Sequence, residues 1–157
     1  MSGLAAFLGF ICAYMACYML HEWGHLAGAK LTGSHMPILS PKGVLIGAFD
    51  LAKHSREQFL GLSWGGVLGY LLVASICWLV WFMGSLGWFG AGLAVGGLAF
   101  VVQSLAVDMP QIVKVWRGAD MVATSKDGAN GAIIVKRTWQ TWIPLAAVIV
   151  GLNVLGR

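Results

Sequence analysis

Charge is scarce in this chain. Asp, Glu, Lys and Arg together make up 10% of 157 residues, against 59% hydrophobic residues and a mean hydropathy of +0.80. A soluble globular domain carries about 25% charged residues, so this composition excludes that class and leaves a membrane protein. The net charge of +4 and the pI near 9.2 do not point to nucleic acid. The basic residues are strung out between apolar runs and build no basic face. Cysteine is also rare: Cys12, Cys17 and Cys77 all lie inside apolar runs. That placement suits small buried hydrophobes and excludes a disulfide framework. The N-terminus has no basic residue ahead of its apolar run and no small-residue cleavage site before the first histidine, so the run is expected to stay in place as a helix.

What the chain does have is long apolar stretches. Residues 4–29, 59–83, 88–107 and 138–156 are each near or above the length that crosses a bilayer core of about 30 Å at about 1.5 Å per residue. The expected fold is therefore an all-α polytopic membrane protein of about four transmembrane helices, a single membrane-embedded domain over residues 1–157. Gly24 and Gly28, Gly65 and Gly69, and Gly92 and Gly96 have the small-xxx-small spacing that lets helices approach closely. A short uncharged link around residues 84–87 makes the second and third helices antiparallel neighbours. After the first helix, Pro37, Pro41, Gly43 and Gly47 break the chain, and residues 38–46 read as a short β-hairpin-like connection. Pro110 is expected to end or kink the third helix at Asp108, because proline disfavours helix in the residue before it and donates no hydrogen bond. The polar stretch 111–137 follows, with Val113 to Arg117 expected on the membrane interface.

Against this background His21-Glu22-Trp23-Gly24-His25 stands out, because three ionisable groups continue an apolar run. Such groups are costly in hydrocarbon and mark a functional site by default. Residues four apart on a helix share a face, so His21 and His25 can present two imidazoles to one metal ion, with Glu22 beside them. This is the H-E-x-x-H spacing, in which two histidines hold zinc and the glutamate acts as general base on a water. Shuffling the chain's own histidines and glutamates would give it on the order of one time in a thousand. The bland alternative is a pair of interfacial histidines and a surface charge. Cys17 cannot join the set: on a straight helix it lies about 12 Å from residue 25 along the axis. His35 and His54 read as solvated.

Basic residues set the expected topology. Lys30, Lys42, Lys53, Arg56, Lys114, Arg117, Lys126, Lys136 and Arg137 fall in or next to the two long connections, and only Arg157 falls elsewhere. By the positive-inside rule, residues 31–57 and 108–137 are cytoplasmic and the N-terminus is outside. The first and third helices then both run inward, and Asp108 reaches the same depth as His21 and His25. Catalytic zinc takes three protein ligands and keeps a fourth position open, and His21, His25 and Asp108 complete such a set. Alone, Asp108 reads equally well as a charge at the membrane boundary.

With the histidine motif in a first transmembrane helix, Gly65 and Gly66 in the second and an aspartate at the end of the third, residues 4–115 resemble the site-2 protease family of intramembrane zinc metalloproteases. The resemblance implies Zn2+ held by His21, His25 and Asp108, Glu22 as acid/base, and Gly65 and Gly66 at the substrate. It also implies cleavage of membrane-spanning proteins near the cytoplasmic face of what is expected to be a bacterial cytoplasmic membrane. Asp108 is followed by Met109-Pro110 where the family usually has glycine, and Gly66 and Gly69 stand where it usually pairs glycine with proline and a later asparagine. The rival expectation is a catalytically inactive, protease-like structural or regulatory subunit of a membrane complex. A haem or di-iron oxidoreductase fits poorly, since His21 and His25 lie too close on one helix for both axial positions of one haem. Expected partners are the lipid bilayer and a membrane-protein substrate or complex partner, with no nucleic acid.

Overall fold

The computed structural model describes residues 2–34, 53–121, 123 and 124. The expected hairpin at 38–46 and the expected fourth helix at 138–156 lie outside the described residues. Within them the chain forms three helices, α1 (Ser2–Leu31), α2 (Arg56–Phe82) and α3 (Gly87–Trp116), each long and apolar enough to cross a membrane. Their outer surfaces stay apolar: Leu4, Phe7, Leu72 and Phe82 are among the exposed large side chains. Such faces suit hydrocarbon, where the backbone is satisfied internally by the helix.

The helix ends explain where each span starts and stops. Gly33 has φ +69 just beyond α1, its N–H donates to Lys30, and Ser34 N–H donates back to the Ala29 carbonyl at 2.8 Å. This is the Schellman arrangement, which needs a left-handed residue after the last turn. Gly118 repeats it after α3, with φ +96 and a bond from Ala119 N–H to the Lys114 carbonyl at 3.0 Å. At the start of α2, Ser55 Oγ accepts from Gln58 N–H and Gln58 Oε1 accepts from Ser55 N–H at 2.8 Å, a capping box. The same Gln58 amide donates to the Gly33 carbonyl at 3.3 Å and so ties the end of α1 to the beginning of α2.

The third helix corrects the expectation for Asp108. Instead of ending there, α3 continues through Pro110 to Trp116 and takes in Val113 to Trp116 as its last turn. A proline inside a helix costs about 3 kcal/mol. The turns after it bury Ile112 at 1% and Val115 at 0% exposure, and each such side chain contributes about 1.5–3 kcal/mol when taken out of water. Packing therefore offsets the break.

Glycines set the packing of the bundle. A Cβ on Gly24 would overlap the Gly65 carbonyl, one on Gly28 the Gly61 carbonyl, and one on Gly69 the Leu20 carbonyl, so α1 and α2 run antiparallel with their backbones in contact. On the other side Gly92 meets Ala6 and Gly96 meets Phe10, so α3 runs parallel to α1. Gly97 rests on Ala74 and Cys77, which closes α3 against α2. Between the helices lies a core of Cys17, Val67, Tyr70, Ala74, Phe100 and Ile112. The Phe100 ring is its hub, edge-on to Tyr14 at 5.1 Å, to Tyr70 at 5.7 Å and to His21 at 5.8 Å. Tyr14 also donates from its hydroxyl to Gln103 Oε1, a polar pin between α1 and α3.

Candidate metal centre

The register of the bundle decides what meets His21 and His25. On α1 they lie one turn apart, with Nε2 atoms separated by 3.1 Å and ring centroids by 4.3 Å. Two tetrahedral ligands at about 2.0–2.1 Å from one ion stand about 3.3 Å apart, so this pair is at ligand spacing.

Each ring is seated by α2. The Nδ1 of His25 lies 2.8 Å from the Leu62 carbonyl. A carbonyl only accepts, so Nδ1 carries the hydrogen and Nε2 keeps its lone pair; the tautomer is assigned from that partner. Main-chain or carboxylate acceptors behind histidine ligands are the usual means of orienting them. One turn further along α2, the Gly66 backbone lies against the His21 ring. A Cβ on Gly66 would also run into the His25 imidazole, so only glycine leaves room for that ring. Gly65 takes no part in holding the rings and packs instead against Gly24 and Gly28. The two glycines expected at the substrate thus stand at the α1–α2 contact, one beside the motif and one beneath it.

From α3 comes Asp108. Its Oδ2 lies 3.9 Å from His21 Nε2, and the two side chains are 21% and 11% exposed. Glu22 is half-buried and within electrostatic reach of both Asp108 and Tyr18. The four residues expected in the site, His21, Glu22, His25 and Asp108, therefore gather within about one helical turn of one another in depth, roughly 9–15 Å from the Leu31 end of α1. Among the described residues no group of three or more His, Cys, Asp or Glu side chains stands in an arrangement that could hold a metal ion. In this set the Asp108 oxygen would have to move in by about 0.6 Å to reach tetrahedral spacing from His21.

A second observation bears on the fit. Buried polar atoms normally find a partner, and one that does not calls for an explanation such as an ion or a water. Among the described residues four buried side-chain atoms lack a hydrogen bond: His21 Nδ1, Tyr70 OH, Asp108 Oδ2 and, away from the site, Ser34 Oγ. Three of the four belong to the histidine–aspartate site or to the ring packed on it. Tyr70 is fully buried, with its ring centroid 5.6 Å from that of His21. Imidazole and carboxylate are the donor types that zinc takes, and of the unmet atoms Asp108 Oδ2 lies on the Nε2 side of His21, where a cation would meet it; His21 Nδ1 is the other ring nitrogen, on which an ion at Nε2 does not act.

Sequence reasoning missed two contributors. Tyr70 carried a legible signal, a polar-tipped aromatic in the middle of an apolar span. The Leu62 carbonyl carried none, because any residue supplies one. Cys17, expected to pack, is fully buried with its Sγ 3.9 Å from the Tyr70 carbonyl. Compared with known proteins, the chain matches no family model, no curated protein and no solved structure.

Proposed function

We propose that this protein is an intramembrane zinc metallopeptidase that hydrolyses peptide bonds of membrane-spanning substrates. The observation that carries the reading is the 3.1 Å separation of the His21 and His25 Nε2 atoms, with the Asp108 carboxylate beside them and Glu22 next in the chain. A divalent ion bound there supplies a Lewis acid that polarises a peptide carbonyl and acidifies a water. His21, His25 and Asp108 would hold the ion, and the Leu62 carbonyl keeps the hydrogen of His25 on Nδ1, which leaves Nε2 free to ligate. Glu22 removes a proton from the attacking water as its oxygen bonds to the carbonyl carbon. It then delivers the proton to the amide nitrogen as the C–N bond breaks.

The surroundings suit an apolar substrate. The site lies within three apolar helices, and the basic residues near its end of the bundle support, by the positive-inside rule, a cytoplasmic site with the N-terminus outside. A helical peptide bond is occupied by its own hydrogen bonding, so a substrate span must unwind locally before Glu22 can act on it.

The test is cleavage of a single-span reporter protein in vesicles by wild type and by Glu22→Gln, with bound zinc measured on both. The reading expects zinc on both and cleavage falling by about 10²–10⁴-fold in the variant. Zinc on both with no cleavage by wild type would leave the rival, an inactive subunit that keeps the metal as a structural element.

A further inference from the structure

Tyr70 is the one residue at the centre that the proposed chemistry leaves without a task. It is fully buried in the middle of α2, at 0% exposure. Its ring packs on His21 at 5.6 Å and on Phe100 at 5.7 Å. Its hydroxyl makes no hydrogen bond among the described residues, and neither does Asp108 Oδ2. A buried tyrosine normally directs its O–H to a partner. Here the unmet acceptor beside the same imidazole is the Asp108 carboxylate, whose Oδ2 lies 3.9 Å from the Nε2 of the His21 ring on which Tyr70 packs.

We propose that the Tyr70 hydroxyl is the positioning group for Asp108: when the metal is bound, its O–H donates to the Asp108 carboxylate and holds that carboxylate in the ligating orientation. The inference rests on the metal reading above and deepens it. The carboxylate lies 3.9 Å from His21 Nε2, too far for tetrahedral spacing, so it has to move when the ion enters. Each carboxylate oxygen has two lone pairs, so one can face the ion while another accepts the phenol hydrogen. Tyr70 is placed to meet it because its ring is locked between His21 and Phe100. Hydrogen bonds of this kind, behind a metal ligand, are typically worth 10–100-fold in metal affinity.

The variant that isolates the effect is Tyr70→Phe, which keeps the ring and removes only the hydroxyl. Co2+ and Zn2+ affinities of the full chain in detergent are measured by competition with a chromophoric chelator, alongside the visible spectrum of the Co2+ form and thermal unfolding of the metal-free form. Expected are a dissociation constant raised about 10–100-fold, a changed Co2+ spectrum, and metal-free unfolding no lower than wild type. Equal affinities with equal spectra would overturn the role given to Tyr70 while leaving the metal site intact. Loss of affinity together with lower metal-free stability would reassign the residue to packing. A wild-type chain that binds neither ion would remove the metal reading itself, and this inference with it.

Discussion

Asp108 is an acidic side chain kept inside an apolar bundle with one oxygen buried and without a hydrogen bond among the described residues. Leaving such a group unmet costs about 1–3 kcal/mol or more, so its presence needs a return in function. Replacing it with asparagine keeps the shape and removes the charge. Asp108→Asn is expected to weaken zinc binding at least about 10-fold, read by chelator competition, while the chelated protein unfolds at the same temperature as wild type or higher. Undiminished binding would mean that the carboxylate is no ligand. His25→Ala is expected to abolish stoichiometric zinc, because His25 brings the donor already oriented by the Leu62 carbonyl. The histidine pair was legible in the sequence because its spacing is a property of one helix. Asp108 was legible only through topology, and its distance to His21 depends on the register of α1 against α3, which no local pattern carries.

At the scale of the helices, α2 positions the two histidine rings although it contributes none of the proposed ligands. It offers the Leu62 carbonyl to His25, the Gly66 gap to the same ring, Gly65 and Gly69 to the backbone of α1, and Gly61 to the Thr32 side chain just beyond it. Gly65→Leu would drive a side chain into the Gly24 carbonyl. Overpacking of this sort costs about 1–3 kcal/mol and here is expected to reduce thermal stability and zinc affinity together. Ser55→Ala makes the contrast: it removes the capping-box acceptor and is expected to cost about 1 kcal/mol in unfolding experiments while leaving zinc stoichiometry unchanged. The glycine spacings on α1 and α2 were readable in advance, but which glycine faces which carbonyl was not. The start of α2 was drawn at Phe59, where the apolar run begins, although Ser55 and Gln58 already spelled the cap. Pro110 left two outcomes open, a helix end or a kink; the end does not occur, because the burial of Ile112 and Val115 beyond it carries the helix on.

At the scale of the whole molecule, three apolar spans bring the basic residues flanking α1, α2 and α3 to the end of the bundle nearest the histidines. A membrane-impermeant thiol reagent tests the orientation. A cysteine placed at Ser85, in the link between α2 and α3, is expected to react in intact cells, and one placed at Lys53 only after permeabilisation. The reverse pattern would put the site at the outer surface. Long apolar runs made three of the four expected helices readable in advance as long and apolar enough to cross a membrane; the fourth lies outside the described residues. The proposed convergence of α1 and α3 on one ion depends on their relative depth, which rested on the positive-inside rule until the contacts of Gly92 with Ala6 and Gly96 with Phe10 gave the register directly.

Zinc-edge X-ray absorption on the full chain purified in detergent addresses that convergence most directly. The account predicts one zinc per chain, with scattering from two imidazoles at about 2.0–2.1 Å and from oxygen donors at about 2.0–2.2 Å, and loss of an oxygen contribution in Asp108→Asn. A chain that retains no zinc, or whose zinc shows no imidazole in its shell, would contradict it.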